Sequence, residues 1–203
     1  MPFSNKEYNL LIKNILPFVP AHGWSMQSLE LAAKKSKIDP SKARLHFNGE
    51  VAEIVAAYSE YVDSSMLKEV KKSPLQDMKI RDRVTLCVIA RLNIMNQHKE
   101  AAKKAAAFLA VPTHVPLGTS LVAKTVDKIW YACGDTATDF NYYTKRALLS
   151  GVYVATVTYW LTDNSVDFQK TQDFLGRRID NVMCITKAKY KIKGFFEGLG
   201  WFK

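Results

Sequence analysis

Three aspartates, Asp127, Asp135 and Asp139, fall close together in the chain, and carboxylates so grouped invite a metal-binding or acid–base reading. The neighbourhood does not support it. No histidine lies near them, and no Glu-x-x-His pair, the ligand spacing of a di-iron helical bundle, occurs. His22, His46, His98 and His114 are scattered, and none sits beside a Ser or Cys nucleophile motif. Helix capping accounts for Asp139, and on this reading for Asp135. Cys87, Cys133 and Cys184 are odd in number and far apart, which suits a reducing compartment and offers no metal-ligand spacing. The residues therefore predict no catalytic group, no metal site and no enzyme.

The same stretch is rich in aromatics: Trp130, Tyr131, Phe140, Tyr142 and Tyr143. Such a cluster is either core or a partner-binding patch, because Trp and Tyr combine large contact area with a polar edge. Spacing alone leaves both open.

Charge is distributed unevenly. The 203 residues carry a net +10, but residues 127–186 hold six basic and seven acidic groups, whereas the last 17 hold five and one. At roughly 100° per residue, a helix from about Ile185 to Phe202 gathers Ile185, Ala188, Ile192, Phe195, Phe196, Leu199 and Phe202 on one face. Lys187 and Lys191 border that face on one side, and Lys189 and Lys193 on the other. Lysines beside an apolar stripe can lay their stems along acyl chains while their ammonium groups reach lipid phosphates. Two roles fit: a helix on an anionic membrane surface, or a helix packed on its own domain. Gly194, Gly198 and Gly200 make a poor free-standing helix and favour one ordered by a surface.

The elements that must position these groups read as helices throughout. Few segments alternate in the manner of strands, and no paired runs are joined by Asn-Gly or Asp-Gly hairpin turns. The pattern predicts helices over Lys6 to Leu16, from an N-cap at Ser25 to Lys35, from Pro40 under an Asp39 cap to Asn48-Gly49, and from Glu50 to about Val62. Three short, tightly joined helices are the layout of a helix-turn-helix. A DNA reader concentrates positive charge there, yet residues 23–63 hold five basic groups against six acidic ones. A scaffold role is favoured, with DNA binding through Lys42 and Arg44 the alternative. Further helices are predicted beyond Ser73-Pro74, over Lys99 to Leu109, over Ser120 to Tyr131 and from Asp139 to Thr162. Asp163 to Ser165 break the pattern and Asp167 opens the next helix. Ala147 to Leu161 is too short and interrupted to span a bilayer and reads as a buried core helix. The expected division is 1–72 for the N-terminal module, 73–184 for a helical binding and dimerisation domain, and 185–203 for the amphipathic helix.

The run Asp127…Trp130-Tyr131…Gly134-Asp135…Thr138-Asp139-Phe140-Asn141…Tyr143-Thr144-Lys145-Arg146 resembles the ubiquinone-biosynthesis accessory proteins numbered nine in the coenzyme Q series. Leu16-Pro17…Val19-Pro20…Gly23-Trp24, Asp163 with Ser165, and Phe174-Leu175…Arg178 extend the resemblance along nearly the whole chain. It implies an all-α, TetR-repressor-like bundle, a bound isoprenoid or phospholipid, a homodimer, and a C-terminal helix that engages the membrane. It implies a non-enzymatic role: presenting an isoprenoid quinone to the di-iron hydroxylase that acts on demethoxyubiquinone. The hydroxylase-contacting patch would fall on Asp127, Ile129, Trp130, Tyr142, Tyr143 and Arg146. Ile129 and Tyr142 depart from the Met and Trp expected there, though both stay apolar or aromatic. No nucleic-acid partner and no cofactor are expected. The start of the chain lacks a secretory or transit pattern, so the expected location is the bacterial cytoplasm, peripheral on the inner membrane, or the matrix side if eukaryotic.

Overall fold

A run of local signals, not a sheet, organises the chain. A computed structural model describes residues 5–135 and 140–182, and it holds ten α-helices and no strand among those residues. The N-terminal helices are α1 (Asn5–Ile15), α2 (Val19–His22), α3 (Met26–Lys35) and α4 (Pro40–His46). Then come α5 (Val51–Val70), α6 (Ile80–Asn96), α7 (Lys99–Ala110), α8 (Val115–Ala132), α9 (Phe140–Thr162) and α10 (169–182).

The first helices form where their caps direct. Ser25 accepts a bond from the Ser28 amide at 3.2 Å and opens α3, and Asp39 accepts from the Ser41 amide at 2.8 Å and opens α4. Asn48 and Gly49 both turn left-handed, with φ of 51° and 68°, so the chain reverses into α5 at little steric cost. Pro20, expected only to break a helix, sits in the first turn of α2, where a missing N–H costs nothing.

Three boundaries differ from those the amino-acid pattern predicts. The α5 helix continues past Val62 to Val70, because Met66 and Val70 extend its buried stripe at four-residue spacing. The α8 helix begins at Val115 rather than Ser120, with Pro116 tolerated in its first turn. Asp167 does not open α10. It lies in a 3₁₀ turn with φ of 48°, and Asp163 does the capping, accepting from the Ser165 amide at 2.8 Å and the Thr171 amide at 2.9 Å. The predicted cap at Asp139 lies outside the described residues, as does the tail from 183 onward.

One core unites the chain. Leu11, Ile12 and Ile15 of α1 meet Leu29 of α3 and Ile54 and Met66 of α5, and the cluster runs on through Leu92, Ile129, Trp160 and Leu175. Each such side chain contributes roughly 1.5–3 kcal/mol when fully buried. Trp24 clamps the N-terminal module to the rest, donating from Nε1 to the Ala101 carbonyl at 3.0 Å and packing on Tyr58 at 4.9 Å. The α9 helix is not buried all round. Leu149, Val152, Tyr153, Thr156 and Trp160 face the core, while Val154 and Tyr159 are exposed. No single described helix is long and apolar enough to cross a membrane.

Candidate functional site

The aromatic and acidic cluster assembles where the end of α8 meets the start of α9. On α8, Asp127, Trp130 and Tyr131 stand three and four residues apart, so they share a face. Ile129 is about 200° round from Asp127, and it is 0% exposed in the core. The resemblance placed Ile129 in the patch, but in this chain it supports the face from beneath. Tyr131 is 81% exposed and Tyr143 69%, against the usual burial of large aromatics.

Ion pairs hold this surface in one shape. Arg146 donates from Nε to Asp127 at 2.8 Å and from Nη1 to Asp135 at 3.2 Å. Lys145 reaches Asp135 at 2.7 Å while its ammonium lies 5.6 Å from the Trp130 ring centre. The Arg146 guanidinium stacks 3.3 Å from the Tyr142 ring centre, and the Tyr142 hydroxyl donates to Asp127 at 3.2 Å. Tyr143 meets Tyr142 edge-on at 5.1 Å. Burial works against the Arg146 charge, but its bonds to Asp127 and Asp135 outweigh that and raise its pKa.

This arrangement corrects the expected role of Asp135. Its carboxylate is an ion-pair hub rather than a helix cap. With Asp127 and Asp135 committed to Arg146 and Lys145, the chemistry on offer is recognition: exposed aromatic rings on a rigid charged frame. Among the described residues, no group of three or more His, Cys, Asp or Glu is placed to hold a metal ion. Tyr131, Asp135 and Lys145 were absent from the predicted patch. For Tyr131 the signal was present, since it stands four residues after Asp127 on one helix.

A second polar cluster lies in the centre of the bundle. Arg91, 5% exposed, donates to Asp63 at 2.8 Å, to Ser59 at 3.2 Å and to the Tyr153 hydroxyl. Thr125 donates to Asp63 at 3.1 Å and Lys128 approaches it at 3.3 Å, so α5, α6, α8 and α9 are tied at one point. The sequence pattern did not reveal this cluster, although Arg91 stands on the buried stripe of Val84, Val88, Leu92 and Met95. Beside it Cys87 and Cys133 share a thiol–thiol hydrogen bond. The bond holds Cys87 below its ordinary value and, with burial, pushes Cys133 above it. A half-open groove of about 560 Å³ runs between α5 and α6, its apolar lining including Tyr61, Val70, Leu86, Ile89 and Ile94.

At the other end, α4 exposes Leu45 (78%) where a DNA-reading helix would meet its duplex. Arg44 lies 3.9 Å from Glu30 of α3. The predicted membrane-binding residues Ile185, Lys187, Lys189, Lys191, Ile192, Lys193, Phe195, Phe196, Leu199 and Phe202 lie outside the described residues.

The fold defined by these helices is that of the TetR-type regulators. A crystal structure of the TetR transcriptional regulator from Nitrosomonas europaea ATCC 19718 superposes with a TM-score of 0.69, covering 87% of this chain and 97% of that one at 18% identity. At that identity the likeness concerns fold alone. The COQ9 family model matches residues 115–186, a span that contains the whole α8–α9 patch. "Ubiquinone biosynthesis protein COQ9, mitochondrial" of Rattus norvegicus and of Homo sapiens are each 31% identical over 198 residues, or 91% of this chain. The protein of that name from Drosophila melanogaster is 31% identical over 88% of it. The chain spans about three-fifths of the length of the rat and human relatives, 61% and 60%. The chain thus has a TetR-like fold, matches the COQ9 family model over residues 115–186, and is similar to COQ9 proteins over most of its length.

Proposed function

We propose that this chain is a non-catalytic accessory protein of ubiquinone biosynthesis. It binds an isoprenoid quinone intermediate at an anionic membrane surface and presents it to the di-iron hydroxylase that acts on demethoxyubiquinone. The observation that carries this reading is the α8–α9 patch. Tyr131 and Tyr143 are exposed on a frame of ion pairs inside the stretch matched to COQ9, and a solvent-facing aromatic pair so braced is what a protein partner buries. The names of the relatives supply the pathway. The basic amphipathic sequence 185–202 supplies membrane affinity, at about 1 kcal/mol per lysine near an anionic surface.

A homodimer belongs to the same proposal. The outer side of α9 exposes Val154 and Tyr159, and Tyr159 stacks on Phe174 of α10 at 4.7 Å, leaving an aromatic surface on which a second copy can pack. The relatives are named as mitochondrial proteins, and placement on an inner membrane, mitochondrial or bacterial, is part of the same proposal.

Mass spectrometry of lipids co-purifying with the full chain tests the lipid reading. Isoprenoid quinones or their precursors are expected, and a well-folded sample free of lipid would overturn it. The alternative, a DNA-binding regulator, rests on the TetR likeness. It requires salt-sensitive binding to a palindromic duplex, which the acidic excess over residues 23–63 opposes.

A further inference from the structure

Three lysines stand unpaired at one corner of the molecule. Lys68 ends α5, Lys71 follows it, and Lys79 precedes α6. All are exposed, and none has an ion pair or hydrogen bond among the described residues. Between them Pro74 and Ile80 are exposed, with Leu75 and Met78 half-buried. Residues 68–83 hold six basic groups and three acidic ones.

Folding does not account for all of this charge. Lys68 complements the negative end of the α5 dipole. Lys79, Arg81 and Arg83, however, crowd the start of α6, where the helix dipole is positive and cations are unfavourable. Arg83 serves the fold. It donates to the carbonyls of Met78, Gln76 and Cys133 at 2.9, 3.0 and 2.9 Å, holding the connection 74–79 in a fixed shape against α8. Arg81 also has a partner. It binds Asp180 near the end of α10 at 3.0 Å, so the chain leaves for residues 183–203 beside this corner. Lys71 and Lys79 have no such partner.

We infer that the α5–α6 corner, with exposed Lys68, Lys71 and Lys79 and exposed Pro74 and Ile80, is a preformed contact for an anionic lipid surface. It seats that end of the bundle on the membrane beside the point where the amphipathic tail departs. Exposed lysines interspersed with exposed apolar side chains along one connection are the pattern of an interfacial contact. The bond from Arg83 to the Cys133 carbonyl also brings the end of α8, and with it the α8–α9 patch, to the membrane-facing end. The α5 helix is 20 residues long, about 30 Å. It holds the helix-turn-helix at the far end, away from the lipid. This inference rests on the membrane reading proposed above.

The test uses the full chain and vesicles of phosphatidylcholine with about one-third phosphatidylglycerol, at low salt. Each lysine near such a surface is worth about fivefold in partition. The variant K68Q/K71Q/K79Q is therefore expected to bind at least about tenfold more weakly, with the loss shrinking as salt rises. The control K34Q/K35Q/K37Q removes the same charge from exposed positions of and after α3 and is expected to change binding less than about twofold, since those lysines stand beyond screening range. Amide hydrogen exchange gives the position directly: vesicles are expected to protect residues 71–80 and leave α3 and α4 unchanged. Equal losses in both variants, no loss in the first, or no protection at 71–80 would each overturn the inference while leaving vesicle binding intact. Failure of the wild-type chain to bind vesicles would instead overturn the membrane reading, and this inference with it.

Discussion

Replacing Arg91 by methionine tests the central polar cluster. Methionine keeps most of the buried volume and removes the charge that Asp63, 1% exposed, relies on. Burial opposes the guanidinium charge, but Tyr153 and Asp63 favour it more, so Arg91 is held strongly protonated in the folded state. Removing one partner of a buried pair costs about 3–5 kcal/mol, because the other charge is left behind. Here Asp63 keeps Thr125 at 3.1 Å and Lys128 at 3.3 Å. The expected loss for R91M is thus at the lower end, about 3 kcal/mol. For a chain of this size that lowers Tm by about 6–12 °C. The double variant D63L/R91M removes both charges and is expected to be at least ~1 kcal/mol more stable than the sum of D63L and R91M predicts. Urea unfolding of the three variants and the wild type measures the cycle. A cost below ~1 kcal/mol for R91M would refute the claim that this pair ties the four helices together. So would strict additivity.

Asp163 accepts bonds from Ser165 and Thr171 that outweigh its burial and hold its pKa well below the ordinary 3.8. A folded-state pKa lowered in this way adds stability that is present above about 3.8 and lost as pH falls below it. Thermal melts from pH 7 to 2 are expected to drop steeply on the acid side for the wild type, and less for D163N. An equally steep limb in D163N would contradict the assignment. Tyr131→Ala and Tyr143→Ala, at exposed positions, are expected to leave stability within about 0.5 kcal/mol. If the proposed function holds, each weakens binding to a di-iron hydroxylase at least about tenfold in a titration, as loss of an aromatic anchor does. Trp24→Phe removes the bond to the Ala101 carbonyl and part of the packing on Tyr58. A loss of about 2 kcal/mol in urea unfolding is expected, and a neutral result would mean that Trp24 does not clamp the N-terminal module to α7.

Legibility followed the range of the interaction. The caps at Ser25 and Asp39 and the Asn48-Gly49 reversal were readable because each is decided by residues two to four apart. The end of α5 was not. Ser64 and Ser65 break no helix by themselves, and only the packing of Met66 and Val70 shows that the helix goes on. Asp163 reads as a breaker and Asp167 as a cap, since both positions suit either role, and the three-dimensional turn assigned the bonds to Asp163.

The candidate site divides in the same way. From the amino-acid sequence alone came the all-helical class, the helix-turn-helix without a basic excess, the basic amphipathic run 185–202 and the aromatic cluster with its family resemblance, because composition and periodicity are local properties. Whether those aromatics formed core or surface was decided only by tertiary structure. Packing of α8 on α9 sends Ile129 inward and leaves Tyr131 and Tyr143 in solvent. The pairing of Asp63 with Arg91, 28 residues apart, and the meeting of Arg81 with Asp180, 99 apart, depend on how the helices cross. A helix's own periodicity says which side is buried, but not which distant charge it meets there or which corner of the molecule the chain leaves from.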